Sequence, residues 1–366
     1  MPKYILAFFT LGFIGFLLIN YYFLSSKKVT ITVPVINRNI NSPTPAVTEI
    51  KLKKPPESKI LPTDYHVFQT FNNCGPAALS MTLSHYGINV SQQELGNELR
   101  PYQNPQGDND DKSVTLEELG EKAKDFDLIP YHRPNGNIEL IKKFITYDIP
   151  ILTRTLTKVN EDIGHFRLVK GYNDQTGQLI QNDSLQNKNL WYTYVDFLAI
   201  WEKFNHEYLV LVPNDKQEIV ETILGEDLNE KIAWQKALRQ AQGKLVENEN
   251  DIYTRFNLSV ALYEVGDFQR SVEEFEKIEN LLPFRTLWYQ IEPIQAYYEL
   301  GNYDRVFQIT DKILNNGNLA FSELYYLRGQ IYLKQNDKEA ARQEFEKAIL
   351  YKHNYTPAQE ALKTFE

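Results

Sequence analysis

The sequence predicts an α+β domain followed by an all-α array of helical repeats, both carried behind a single membrane-spanning helix. Three observations carry this expectation. Residues 4–24 are uncharged and almost wholly apolar. Residues 62–214 place one clear helix early and several extended runs late. From residue 216 to 366 only helical patterns remain, and their turns recur at a fixed spacing.

Residues 1–25 read as the anchor. The run YILAFFTLGFIGFLLINYYFL spans roughly 30 Å as a helix, one bilayer hydrocarbon core. Tyr21 and Tyr22 fall where interfacial aromatics sit. The run is longer than the apolar core of a cleaved secretory signal, and no small-x-small site follows it. No cysteine follows it either, which excludes a lipid-modified anchor. Lys3 and the amino terminus on one side nearly balance Lys27 and Lys28 on the other, so charge leaves the orientation open. Residues 26–61 read as a linker or stalk, because Pro, Ser, Thr and Lys break every period apart from a short edge strand at VTITVPV.

With 42% hydrophobic and 13% aromatic residues, the chain has the material for packed cores. A formal charge of −9 offers no basic face and argues against a nucleic-acid partner. One cysteine permits no internal disulfide and no cysteine-rich zinc site. HExxH and GxxxxGKS/T are both absent, so no metal or cofactor is expected. The acidic stretch GDNDDKS, residues 107–113, lacks the glycine and the later glutamate of a calcium loop and reads as solvated.

In the α+β domain, CGPAALSMTLSHYG has Pro76 near the first turn and Gly87 where a helix would stop. Leu79, Leu83 and Tyr86 recur at helical spacing and predict one buried face. Thr115 and Glu118 form a capping-box pattern that opens a second helix. The runs PILTRTL, FRLVKGYN, QLIQND and YLVLVP then read as strands, giving an early helix packed on a later antiparallel sheet.

Beyond residue 216, the turn residues Gly266, Gly301 and Asn336 stand 35 apart each time. Each separates two helical stretches and precedes Asp or Asn. This pattern resembles the tetratricopeptide repeat, a helix hairpin of roughly 34 residues that stacks on its neighbours. Ser271 and Val306 stand where alanine is usual, and AWQKALRQAQGKLVENEND reads as half of a degenerate repeat upstream. Tyr289, Tyr297, Tyr298, Tyr325 and Tyr326 recur along the array; aromatic residues at repeat spacing fit its core better than a binding face.

Cys74 is the only thiol, and it stands at the start of the early helix. A thiol needs a depressed pKa to act as a nucleophile, and a helix N-terminus with an imidazolium neighbour supplies one. Of six histidines, His165 is best placed, because it opens the strand HFRLVKGY. That strand turns at NDQTG and returns as QLIQND, which brings Asp183 to the start of the first strand. A carboxylate beside an imidazole fixes its tautomer and favours its charge. Gln69, five residues before Cys74, offers a side-chain amide for an oxyanion beside the Cys74 backbone N–H.

FQTFNNCGPAALSMTLSHYG, GHFRLVKGYN and LIQNDSLQN, with Trp201 closing the block, resemble the bacteriocin-processing (double-glycine leader) cysteine peptidases. The likeness is to the stand-alone, non-transporter branch and covers roughly residues 60–213. It implies a papain-like fold with Cys74 as nucleophile, His165 as general base and acid, Asp183 as its orienter and Gln69 in the oxyanion hole. One departure is Ser184, where the family commonly has proline after the aspartate. The resemblance implies a membrane-anchored peptidase facing outside the cell, with a peptide or protein as substrate. The repeats would recruit that substrate or a partner protein. An acyltransferase or amidase on the same triad, or an idle scaffold whose repeats bind a partner, are the alternatives.

Overall fold

A computed structural model describes residues 50–102 and 114–365. The anchor expected at 4–24, the strand expected at VTITVPV and the acidic loop at 107–113 lie outside the described residues. Among the described residues, no helix is long and apolar enough to cross a membrane.

One antiparallel sheet organises residues 58–212. Its strands are β1 (Ser58–Ile60), β2 (Ile129–Arg133), β3 (Ile151–Leu156), β4 (Gly164–Asn173), β5 (Gln178–Asp183), β6 (Leu190–Thr193) and β7 (Tyr208–Val212). They run in the order β2-β7-β3-β4-β5-β6, with β1 on the far end of β4. The four extended runs read from the sequence are β3, β4, β5 and β7. β1 arises from the segment expected as the end of the linker. Its three residues add to the edge of β4 that β3 leaves unpaired beyond Val169, because open ladder groups there need partners.

The helices of this domain are α1 (Cys74–His85), α2 (Gln92–Leu99), α3 (Leu116–Ala123), α4 (Ile138–Thr146) and α5 (Tyr194–Trp201). They cover both faces of the sheet, so every residue of β3 and β7 is buried. Leu152, Leu209 and Leu211 pack with Leu79 of α1 and Leu119 of α3. The alternate residues Ile151, Val210 and Val212 pack with Phe144 of α4 and Trp201 of α5. Strand alternation therefore feeds two cores, and the domain has three layers rather than one helix on a sheet. The single buried face expected for α1 is also corrected, since all ten residues Cys74 to Leu83 are buried. Their small or apolar side chains let α1 sit between the sheet, α2 and α3. Thr115 and Glu118 do form a reciprocal capping box at the start of α3, and Ser91 and Glu94 form a second at α2.

The rest of the chain is helical, with α6 (Gln217–Leu224), α7 (Glu230–Glu247), α8 (Ile252–Val265), α9 (Phe268–Glu276), α10 (Thr286–Tyr289), α11 (Glu292–Glu299), α12 (Tyr303–Leu314), α13 (Ser322–Lys334), α14 (Lys338–Tyr351) and α15 (Thr356–Lys363). The pairs α8/α9, α11/α12 and α13/α14 are the three hairpins. Their turns are left-handed at Gly266 (φ 90°), Gly301 (φ 72°) and Asn336 (φ 63°), the region that glycine enters freely and asparagine tolerates. Ser271, at a usual alanine position, is fully buried and exchanges hydrogen bonds with Ser259, each hydroxyl donating to the other's carbonyl at 2.7 Å. Tyr297 and Tyr325 lie in the repeat core.

Ile50–Glu366 form one compact unit, and the helical array lies against the sheet domain. Asn257 of α8 accepts from the Asn205 side chain through its carbonyl at 3.1 Å. Arg285 pairs with Asp162 at 2.8 Å. Near the other end, Lys352 pairs with Glu118 at 2.5 Å and Asn354 Nδ2 donates to the Glu98 carbonyl at 2.9 Å.

Candidate active site

Cys74 is the first residue of α1, in a helix whose N-cap residue leaves the first turn alone. Asn73 makes no side-chain cap; its buried amide instead accepts from Arg100 Nη1 at 2.8 Å and donates to Thr70 Oγ1 at 2.7 Å. Gln92 of α2 holds the same loop, accepting from the Thr70 N–H at 2.9 Å and donating to the Phe68 carbonyl at 2.7 Å. The loop before Cys74 is thus fixed from α2, while the first-turn N–H groups receive no side-chain acceptor from Asn73. Gly75 is needed at the next position, since a Cβ there would meet Val114 Cγ2 at 2.2 Å.

His165 is the second residue of β4, and Asp183 is the last of β5. The ladder sets Arg167, not His165, directly opposite Asp183. Residues two apart on a strand share a face, so His165 reaches the same carboxylate along the diagonal. Its Nε2 lies 2.9 Å from Asp183 Oδ1, and its other nitrogen, Nδ1, is left for the Cys74 thiol, to which His165 is hydrogen-bonded.

Asp183 is completely buried and its oxygens are fully engaged. Oδ1 also accepts the Leu185 and Gln186 N–H groups at 2.8 and 2.9 Å, and Oδ2 accepts from Arg167 Nη1 at 2.5 Å. Burial alone would raise its pKa, but the bond to His165 and the His165 and Arg167 charges hold it far below the carboxylate range. Burial opposes a charge on His165 too. The bonds to Asp183 and Cys74 outweigh that and raise its pKa above the ordinary histidine value. The pair is therefore built to hold an imidazolium beside the thiol.

Gln69 lies in the loop before α1 and is tied to the residue after Asp183. Its N–H donates to the Ser184 carbonyl at 2.8 Å, and its Oε1 accepts from Ser184 Oγ at 2.9 Å. The amide Nε2 is the donor that remains. Ser184 replaces a ring that can donate nothing with a hydroxyl that orients the glutamine.

Arg167 was not singled out from the sequence. Its guanidinium is wholly buried, donates to Thr155 Oγ1 at 2.9 Å and to the Thr157 carbonyl at 2.6 Å, and lies over the Tyr192 ring. The available signal was a charged residue within the apolar strand HFRLVKGY, on the His165 face. Exposed apolar side chains flank the site segments: Phe68 and Phe71 beside Gln69, Ile163 before Gly164 and Leu185 after Ser184. Such patches commonly mark binding surfaces.

A cavity of about 490 Å³ opens between the sheet domain and the helical array. Seven glutamates line it, against Arg154, Lys352 and His132. Burial, with the Glu292 charge next, pushes Glu264 up to about 9. Burial and then Glu207 push Glu292 up to about 7. Among the described residues, no group of His, Cys, Asp and Glu is arranged to hold a metal ion.

The peptidase C39-like family matches residues 30–209, and a tetratricopeptide repeat matches residues 322–355. No curated protein matches the chain. Among solved structures, one similar to this chain is a Bacillus anthracis protein provisionally assigned as a C39-like peptidase, 16% identical, covering 43% of this chain and 99% of that chain at a TM-score of 0.36. The peptidase domain of Streptococcus ComA, a bi-functional ABC transporter involved in quorum sensing, is 23% identical over 40% of this chain and 97% of its own, at a TM-score of 0.32. MamA from Desulfovibrio magneticus RS-1 is 21% identical over 41% of this chain and 82% of its own, at a TM-score of 0.33.

Proposed function

Because the chain carries a domain of the peptidase C39-like family followed by a tetratricopeptide repeat, we propose that it is a cysteine peptidase acting through Cys74, His165 and Asp183. The observation that carries this reading is the buried run from thiol to imidazole to carboxylate to guanidinium. A structural cysteine needs no such partners.

In this reading His165 Nδ1 takes the Cys74 proton, and the thiolate attacks the carbonyl carbon of a peptide or amide bond. The Cys74 N–H and Gln69 Nε2 meet the oxyanion as it forms. The C–N bond then breaks while His165 returns the proton to the departing amine. A water molecule, deprotonated by the same imidazole, attacks the thioester and releases the acid and the Cys74 thiol. Asp183 holds the imidazole by Nε2 throughout. Exposed apolar side chains beside Gln69, Gly164 and Ser184 suit an extended peptide. We place both domains outside the cell on an anchor at residues 4–24, which rests on that uncharged run and on the family likeness. The helical array then recruits substrate or a partner protein.

The test is carboxamidomethylation of the full chain from pH 4 to 9, beside hydrolysis of a peptide library. Cys74 is the only thiol, so the rate reports it alone. An apparent thiol pKa well below the ordinary value of about 8.5, with hydrolysis lost in Cys74→Ala and His165→Ala, supports the peptidase. Adding amines and finding amide products in place of acids would convert the reading to acyl transfer. An ordinary pKa with no turnover would leave the scaffold reading.

A further inference from the structure

A side chain of the helical domain stands on the residue that precedes His165. The ring of Tyr289, the last residue of α10, packs so closely on Gly164 that a Cβ there would meet ring atoms Cε1, Cζ and Cδ1 at 3.0, 3.1 and 3.2 Å. The Tyr289 phenol oxygen lies beside the Gly164 backbone, which opposes the rise in its pKa caused by burial, and Tyr289 lies within electrostatic range of Cys74. Three further contacts fix this segment. The Tyr289 carbonyl accepts from Arg154 Nη2 at 2.6 Å, the Arg154 guanidinium lies over the Tyr289 and Phe204 rings, and Arg285 pairs with Asp162 at 2.8 Å. Tyr289 also packs on the small buried cluster of Leu156, Ile200 and Phe204, and the same cluster carries Tyr192, the ring beneath Arg167. The helical domain therefore touches the proposed catalytic run at Gly164 beside His165, and it shares an apolar cluster with Tyr192, the ring beneath the Arg167 partner of Asp183. The rest of Tyr289 borders the cavity between the domains.

We propose that Tyr289 is a positioning residue for His165, so that the helical array is a structural part of the active site rather than an appended recruiting module. The inference rests on the peptidase reading for its meaning but not for its measurement. The ring packed on the Gly164 Cα, with the phenol oxygen beside the Gly164 backbone, fixes the start of β4. That holds the imidazole with Nε2 on Asp183 and Nδ1 on the thiol. Loosening the start of the strand weakens the thiolate–imidazolium pair.

The experiment is the pH profile of Cys74 alkylation in the full chain, for the wild type, Tyr289→Phe, Tyr289→Ala and Lys352→Ala. The last breaks a different contact between the two domains, the Lys352–Glu118 pair, and controls for general loosening. The phenylalanine variant keeps the ring on Gly164 and removes only the phenol oxygen. It should raise the apparent thiol pKa by about half a unit and slow alkylation at pH 6 about threefold; Tyr289→Ala should slow it tenfold or more, and Lys352→Ala should match the wild type. Where a peptide substrate is in hand, kcat should fall in the same order with little change in KM. Should Tyr289→Ala fail to fold, the phenylalanine variant decides. Wild-type profiles in folded Tyr289 variants overturn the proposal while leaving a depressed wild-type pKa, and so the peptidase reading, intact. An ordinary pKa in the wild type overturns both.

Discussion

Arg167 and Asp183 face each other squarely across β4 and β5, and His165 reaches the same carboxylate from two residues further along the strand. Asp183 thus serves two cations, one fixed and one that titrates. The fixed charge stays beside the carboxylate whether or not the imidazole is protonated.

Removing Arg167 should therefore cost more than its own contacts. Arg167→Ala leaves Asp183 buried without its permanent counter-charge, and denaturant unfolding at pH 7 should show a loss of about 3–5 kcal/mol. Asp183→Asn in the same background should recover part of that loss. Additive losses would show that the two side chains do not act as a pair.

Ser184 makes a separable contribution through Gln69. Ser184→Ala removes the hydroxyl that holds Gln69 Oε1 and frees the amide to turn over. On the peptidase reading, a several-fold fall in kcat with unchanged KM is expected on any peptide that is cleaved, together with an unchanged pH profile of Cys74 alkylation. A shifted alkylation profile would mean that Ser184 acts on the thiol rather than on the oxyanion.

Glu264 should weaken the fold as pH rises. Its folded pKa of about 9 lies above the unfolded value, so ionisation is resisted only in the folded state. The resulting loss is absent below about pH 4, grows from there toward pH 9 and is constant above it. Glu264→Gln should accordingly gain on the order of 2 kcal/mol at pH 7 and nothing at pH 4. Thermal melts at the two pH values read this directly.

The parts of this molecule legible in its sequence are those set by short-range rules. Gly266, Gly301 and Asn336 revealed the helix hairpins because a left-handed turn restricts residue choice. The extended runs revealed four of the strands because β-branched and apolar residues recur through them without helical spacing, continuously so only in β7. His165 and Asp183 could be brought together because a hairpin fixes which residues are neighbours, although the ladder is offset so that Arg167 takes the facing position. Placements that depend on distant segments were not legible. Nothing local in SKI marks β1, whose ladder partners lie more than a hundred residues on. Nothing near Gly164 signals Tyr289, which arrives from the helical array. α1 read as amphipathic because its polar residues, Ser80 and Thr82, conceal that it is buried on all sides; their hydroxyls are spent on the Val90 and Ala78 carbonyls.

β1 has a mechanical consequence. After first contacts at Leu52 and Lys53, the chain joins the sheet through this three-residue strand, and its partner β4 is the strand that carries His165 at the opposite end. Tension arriving from the amino-terminal side would load the β1–β4 ladder before any other part of the sheet. Three residue pairs form a short rip-line, reinforced where Tyr172 Oη donates to the Pro56 carbonyl at 2.7 Å and Leu61 N–H to the Lys170 carbonyl at 2.8 Å. Below the yield force the pull passes along β4 toward the imidazole; above it, β1 peels away and the strain is released.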